Sequence, residues 1–161
     1  MSDDAFESIG RSYLPAVMRQ VAAKLVASGD LYAQQNNIPW SAQSNSIVAY
    51  LARHGASMGK DIAAALGQSP QLVGQKLAAL RESGIIISQR DDQDRRRQIE
   101  ALTPHGKQEF AKLKQLEKQA SAAFGELFDE IGHDVWAILR QLDDAIDKDP
   151  FIDRINRVKR D

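Results

Sequence analysis

Two glutamines, Gln71 and Gln75, lie four residues apart, and a run of three arginines follows them at Arg95–Arg97. A spacing of four residues places the two amides on one face of an α-helix. A glutamine amide can make two hydrogen bonds with the edge of adenine, whereas arginine binds phosphate or enters a narrow minor groove. The chemistry that these residues could perform is therefore recognition of duplex DNA.

Both groups of residues also have a simpler interpretation. Glutamines on the outer face of a helix can be merely hydrated, and a run of charges is usually a solvated turn. Three consecutive arginines at the tip of a hairpin, next to a predicted reading helix, favour insertion into the minor groove. Strand alternation would place Arg95 and Arg97 on one face of the hairpin and Arg96 on the other.

The glutamines belong to the second helix of a predicted helix-turn-helix. Ser69 offers a hydroxyl that can cap a helix and Pro70 suits its first turn, so a helix is predicted over about 69–83. Its buried stripe is Val73, Leu77 and Leu80. A shorter helix before it carries the apolar stripe Ile62, Ala63 and Leu66 and ends at Gly67.

The arginines belong to a predicted hairpin, which with the helix pair forms a winged helix-turn-helix. Residues 85–87 are three isoleucines that follow a helix stop at Gly84, which favours a strand. The stretch from Arg90 to Arg97 is too polar for a core and is predicted to form a turn. Residues 98–102 alternate polar and apolar, as a half-buried return strand does. The wing is predicted over about 88–98.

The flanking sequence predicts further helices. Residues 5–36 show helical periodicity, and Pro15 either kinks this helix or stands in the first turn of a second one. Ser41 and Ser57 are candidate caps of the helices that follow them. A new helix starts at Thr103-Pro104 and runs to about 130, Gly132 breaks it, and two shorter helices complete the chain.

Residues 41–107 resemble the MarR family of bacterial transcriptional regulators. The wing pattern together with the Leu-Thr-Pro-His-Gly stretch is the specific part of this resemblance, and the bare helix-turn-helix is not. The residues that carry it are Ile62, Ala63, Leu66, Val73, Leu77, Leu80, Gly84, Arg90, Asp94, Arg95, Arg96, Leu102, Thr103, Pro104 and Gly106.

The resemblance implies a mainly α fold, a winged helix-turn-helix with N- and C-terminal dimerisation helices. In this single MarR-like domain over 1–161, residues 41–103 form the DNA-binding lobe, and 1–38 and 104–161 form the dimerisation helices. It further implies that the protein is a homodimer that binds a pseudo-palindromic operator. This homodimer is expected to be a repressor that a small ligand releases from DNA. The alternative function is a winged-helix module for protein–protein contact without specific DNA binding.

The pattern and the resemblance together assign a set of site residues. Asp94 is implied to brace the wing through Arg96, Arg90 lies at the base of the wing, and Lys76 is expected to contact phosphate. Gly74 stands where the family often has Thr or Ser. The full DNA-binding set is Ser69, Pro70, Gln71, Gly74, Gln75, Lys76, Arg90, Asp94, Arg95, Arg96 and Arg97.

A candidate effector pocket lies where family members bind ligands, between the dimerisation helices and the DNA-binding lobe. Its residues would be Tyr32, Asn36, Trp40 and Asn45. Tyr32 and Trp40 have an equally good interpretation as core aromatic residues.

Composition excludes several other classes of protein. The chain has no cysteine, which excludes a thiol redox switch, and its three histidines lack metal-ligand spacing. We expect no catalytic residue, metal or cofactor. We also expect no membrane contact, because no apolar run approaches 18 residues. The acidic first ten residues lack a signal-peptide core, so a cytoplasmic protein is expected.

The net charge of −1 conceals an uneven distribution. Residues 53–100 carry eight positive and six negative side chains. Residues 1–52 carry three positive and four negative side chains, and residues 101–161 carry ten positive and twelve negative ones. Only the segment with the predicted DNA-binding elements is net positive, and a two-fold dimer would double that excess.

Overall fold

The structure is a computed structural model that describes residues 10–90, 94 and 97–159. Within them the chain forms the mainly α, winged helix-turn-helix architecture that the sequence predicts. The helices are α1 (Leu14–Gln35), α2 (Asn45–His54), α3 (Gly59–Ala65), α4 (Pro70–Glu82), α5 (Pro104–Ile131), α6 (Val135–Lys148) and α7 (Phe151–Val158). The strands are β1 (Ile86–Arg90) and β2 (Gln98–Leu102), and short 3-10 turns cover Arg11–Tyr13 and Ala42–Ser44.

The chain divides into two compact units, Met1–Lys114 and Gln115–Asp161, with the boundary inside α5. The first unit holds the helix-turn-helix and the hairpin, whose strands are antiparallel, with Ser88 opposite Glu100. Its core brings together apolar side chains from α2, α3, α4, β1 and the residue just before β1. The most deeply buried of them are Ile47, Val48, Ile62, Val73, Leu80 and Ile85.

Several helix ends form as predicted. The Ser69 hydroxyl accepts a hydrogen bond from the backbone N–H of Leu72 at 3.2 Å and so caps α4. The Thr103 hydroxyl accepts one from Gly106 at 2.9 Å at the start of α5. Pro15 lies in the first turn of α1, which decides between the two alternatives left open for it.

Two local predictions are wrong. Ser57 does not cap α3, because its backbone exchanges two hydrogen bonds with Glu100 of β2 and Met58 takes the cap position. The extended backbone at Ser57 continues the hairpin as an isolated bridge. Arg90 is the last residue of β1, paired with Gln98, and is therefore not part of the turn.

The second unit contains the remainder of α5 with α6 and α7. Asp134 caps α6 by accepting a hydrogen bond from the N–H of Ala137 at 3.0 Å. At the other end of α6, the two terminal nitrogens of the Arg157 guanidinium, Nη1 and Nη2, each donate a hydrogen bond to one oxygen of the Asp149 carboxylate. The hydrogen bond from Arg157 lowers the pKa of Asp149 below its ordinary value. This contact fixes the corner between α6 and α7.

Gly106 is required by close packing. A Cβ at this position would overlap the carbonyl oxygen of Ile85, which precedes β1. We expect Gly106→Ala to lower the free energy of unfolding by about 1–3 kcal/mol, because the start of α5 must move away from the hairpin. Urea unfolding followed by circular dichroism measures this change.

Gly125 provides the control, since it lies in the same helix and a Cβ there would meet no atom within 4 Å. Gly125→Ala should raise the free energy of unfolding by roughly 0.5–1 kcal/mol, because alanine favours the helix. Equal stabilities of the two variants would contradict the packing described for Gly106.

Among the helices in the described ranges, none combines the length and the apolar character needed to cross a membrane.

Candidate nucleic-acid interface

The rotation of α4 about its axis is fixed by its apolar stripe. Val73, Leu77 and Leu80 are buried against the core, as predicted. Gln71 and Gln75 are exposed on the other side of the helix, one turn apart. The two amides that could bind bases are therefore presented to solvent by a helix that cannot rotate without exposing its core residues.

Gly74 lies between the two glutamines on this exposed face. A Cβ built at Gly74 would have no atom within 4 Å, so the packing of the chain does not require glycine here. Because glycine has no side chain, the backbone of α4 is accessible to a ligand at this point of the exposed face. Ser69 and Pro70, at the start of the same helix, are exposed as well.

Lys76 is held by Gln68, a residue that the sequence pattern does not mark as part of the site. Its ammonium donates a hydrogen bond to the side-chain oxygen of Gln68 at 2.9 Å. Partial burial lowers the pKa of Lys76. Gln68 lies in the turn between α3 and α4, so the positive charge is held beside the turn. No periodicity in the sequence points to this pair, because the contact depends on the geometry of the turn.

The wing contains an ion pair close to its tip. Asp94 contacts the Nε of Arg97 at 3.3 Å, and its backbone carbonyl accepts a hydrogen bond from the Arg97 N–H at 2.8 Å. The resemblance implied Arg96 as the partner of Asp94, and Arg95 and Arg96 lie outside the described residues. The described part of the wing therefore supplies Arg97 as a brace.

A second ion pair joins the hairpin to α4. Glu100 on β2 is buried, and its Oε1 accepts hydrogen bonds from Arg81 at 2.7 Å and from the Ser88 hydroxyl at 3.1 Å. Arg81 belongs to the last turn of α4. The alternating pattern of the strand gives no reason to expect a buried carboxylate, so the sequence does not predict this contact.

Comparison with solved structures identifies the architecture. No protein-family model matches the sequence, and no curated protein is similar enough to match it. A MarR/EmrR family transcriptional regulator from Acinetobacter sp. ADP1 superposes with a TM-score of 0.70 at 18% identity, over 85% of this chain and 96% of that one. The chain has the MarR fold.

Two further structures share the MarR fold. The S. aureus MepR–DNA complex superposes with a TM-score of 0.66 at 20% identity, over 81% of this chain and 96% of that one. CouR from Rhodococcus jostii RHA1, bound to p-coumaroyl-CoA, superposes with a TM-score of 0.60 at 18% identity, over 90% of this chain and 91% of that one. At such low identities the likeness establishes the fold alone.

The four residues of the candidate effector pocket are bonded in pairs within the MarR fold. Trp40 is buried, and its indole N–H donates to the Asn45 side-chain oxygen at 2.9 Å. The side-chain amide of Asn36 donates to the carbonyl of Tyr32 at 2.8 Å and so closes the end of α1. Trp40 is thus a core residue, and a ligand pocket at these positions stays a prediction.

The residues described by the structure include no group of three or more histidine, aspartate or glutamate side chains arranged to hold a metal ion.

Proposed function

We propose that this chain is a transcriptional regulator of the MarR family that binds specific sequences of double-stranded DNA. The observation that carries the proposal is the outer face of α4, where Gln71, Gly74 and Gln75 are exposed opposite a buried apolar stripe. A helix of this kind fits the major groove, where glutamine can select adenine. The S. aureus MepR, which has the same fold, was solved in complex with DNA.

In this proposal the two elements divide the contacts with DNA. Helix α4 reads base edges in the major groove, with Gly74 allowing close approach and Lys76 near the phosphates. The wing places its arginines in the minor groove, which offers little sequence information but a strong negative potential. Ser69 and Pro70 set the start of α4, and Arg90 lies at the base of the wing.

The proposed regulator is a homodimer. Helix α1 exposes Leu14, Met18, Val21 and Leu25, each at least 40% accessible. Their spacing of four, three and four residues forms an apolar seam that suits packing against another helix. In the second unit, α6 and α7 expose further large apolar side chains, Trp136 and Phe151 among them. A two-fold dimer would place two α4 helices roughly 34 Å apart, at successive half-sites of a pseudo-palindromic operator.

We further propose a cytoplasmic repressor that a small ligand releases from DNA. CouR, which has the same fold, was solved with p-coumaroyl-CoA bound. Since this chain has no cysteine, release cannot depend on thiol oxidation within it. A ligand would act through different affinities for the free and the DNA-competent states.

Titration of the purified protein against a fluorescent pool of duplex DNA tests the function. We expect binding that weakens steeply between ~50 and ~200 mM salt, because bound phosphates release counterions. A protein–protein module with the same fold would bind duplex DNA weakly even in low salt and would enrich no particular sequence from the pool. That second outcome would remove the proposed function.

The wing arginines should contribute affinity but little base preference. Arg95→Ala and Arg96→Ala should each weaken binding to a matched and a scrambled duplex alike, and each should reduce the salt slope by about one unit. Binding to both duplexes over a salt series measures these effects. Asp94→Ala is the control, since it disturbs the brace to Arg97 without removing an arginine. A change confined to base preference would contradict the assignment of the wing to the minor groove.

A further inference from the structure

Glu100 is a buried carboxylate on the return strand of the hairpin, and only 5% of its surface is accessible. Its Oε1 accepts hydrogen bonds from Arg81 and Ser88. Its Oε2 is also buried, and no residue in the described part of the chain donates a hydrogen bond to it. A buried charge needs a partner of opposite sign, and Arg81 is the cation that Glu100 contacts.

Three separate elements meet at Glu100. Arg81 comes from the end of α4, and Ser88 comes from the opposite strand of the hairpin. The backbone N–H and carbonyl of Glu100 both bond to Ser57, at 2.8 and 3.0 Å, just before α3. A hairpin of two strands has little stability of its own and takes its direction from what it packs on. Glu100 is therefore placed to fix the direction of the wing against both helices of the helix-turn-helix.

We propose that the pair Arg81–Glu100 sets the angle between α4 and the wing, so that both elements engage one DNA duplex at once. This inference rests on the proposed function. The two residues are assigned a positioning role, since Glu100 is buried and Arg81 donates a hydrogen bond to it at 2.7 Å. Their effect on binding comes through the wing.

The sign of the effect distinguishes positioning from simple charge. Removal of a carboxylate near DNA lowers repulsion and by itself strengthens binding. Glu100→Gln also frees Arg81 to contact phosphate, which again would strengthen binding. Positioning through the ion pair predicts the opposite, a weaker complex, because the wing loses its fixed direction.

The substitutions must also leave the fold intact. Arg81→Ala alone is a poor test because it leaves a buried carboxylate without its counter-ion. The double variant Arg81→Leu, Glu100→Leu removes both charges, keeps the net charge and replaces the pair by apolar side chains. Glu100 is buried and the Arg81 side chain is 37% accessible. Replacement of a buried ion pair by apolar side chains often preserves or raises stability, so the variant is expected to fold. Glu82→Gln is the matched control, since it removes an exposed carboxylate from the neighbouring position on α4.

The experiment compares the full-length wild type with Glu100→Gln, the double variant and Glu82→Gln. A duplex selected by the wild type and a scrambled duplex are titrated over a salt series, with thermal unfolding in parallel. We expect the double variant to remain folded, to bind the selected duplex about tenfold more weakly and to show a smaller salt slope. Glu100→Gln should also bind more weakly, and Glu82→Gln should bind as the wild type or more tightly.

Two outcomes would overturn the inference. The first is a folded double variant with the affinity and salt slope of the wild type. The second is that Glu100→Gln and Glu82→Gln, as separate variants, both bind DNA more tightly than the wild type. If the double variant does not fold, Glu100→Gln decides by the sign of its effect. A wild type that binds no duplex would remove the proposed function and this inference together, whereas wild-type binding with unaffected variants removes the inference alone.

Discussion

The double substitution Val21→Glu, Leu25→Glu should convert the protein to monomers and weaken binding to a two-fold symmetric operator by about 10²–10⁴-fold. Both residues lie on the apolar seam of α1, where they are 51% and 42% accessible in the isolated chain. Four added carboxylates in a symmetric seam would repel one another in a dry interface. A monomer can engage only one half-site at a time, so the gain from simultaneous binding is lost.

The control places the same charges on the other side of the same helix. Ala23→Glu, Ala27→Glu has the same spacing of four residues, and both alanines are exposed. Sedimentation equilibrium should give twice the mass of one chain for the wild type and for this control. A wild type that sediments as a monomer at micromolar concentration would contradict the proposed dimer. A Val21→Glu, Leu25→Glu variant that remains a dimer would contradict the placement of the interface on α1.

The second large effect is expected at Gln75. Gln75→Ala should cost about 1–3 kcal/mol on the best operator, or roughly 5- to 150-fold in affinity, because the amide no longer selects adenine. Val73, Leu77 and Leu80 fix the rotation of α4 and so direct Gln75 outward. The preference should relax at one base pair in each half-site, while the salt slope stays unchanged.

Base-by-base substitution of the operator measures this effect. Gln141→Ala, which removes an exposed glutamine from α6, is the control and should leave binding unchanged. If Gln75→Ala weakened binding to matched and scrambled duplexes equally, Gln75 would not be a residue that reads bases.

The sequence predicts those parts of the structure that local spacing encodes. The buried stripe of α4 follows from Val73, Leu77 and Leu80, and the caps at Ser69 and Thr103 follow from hydroxyls that precede prolines. Each of these features depends on neighbours within four residues. The fold of the lobe could therefore be predicted, with the resemblance supplying how the elements assemble.

The contacts between elements could not be predicted in the same way. Arg81 and Glu100 are 19 residues apart, and Lys76 meets Gln68 only because the turn between α3 and α4 brings them together. Ser57 looked like a cap because its partner on β2 lies far along the chain. Alternation along a strand predicts which residues share a face, but not that a carboxylate is buried there with an arginine.

Selection of bound sequences from a random duplex pool tests the central proposal most directly. The exposed glutamines of α4 and a two-fold dimer together predict an enriched motif with two-fold symmetry, whose half-sites lie about one turn of DNA apart and contain adenine at the positions of Gln71 and Gln75. Repetition of the selection with Gln75→Ala should remove the preference at one position in each half-site. A pool that remains unenriched after repeated rounds, or a motif without symmetry, would contradict this account.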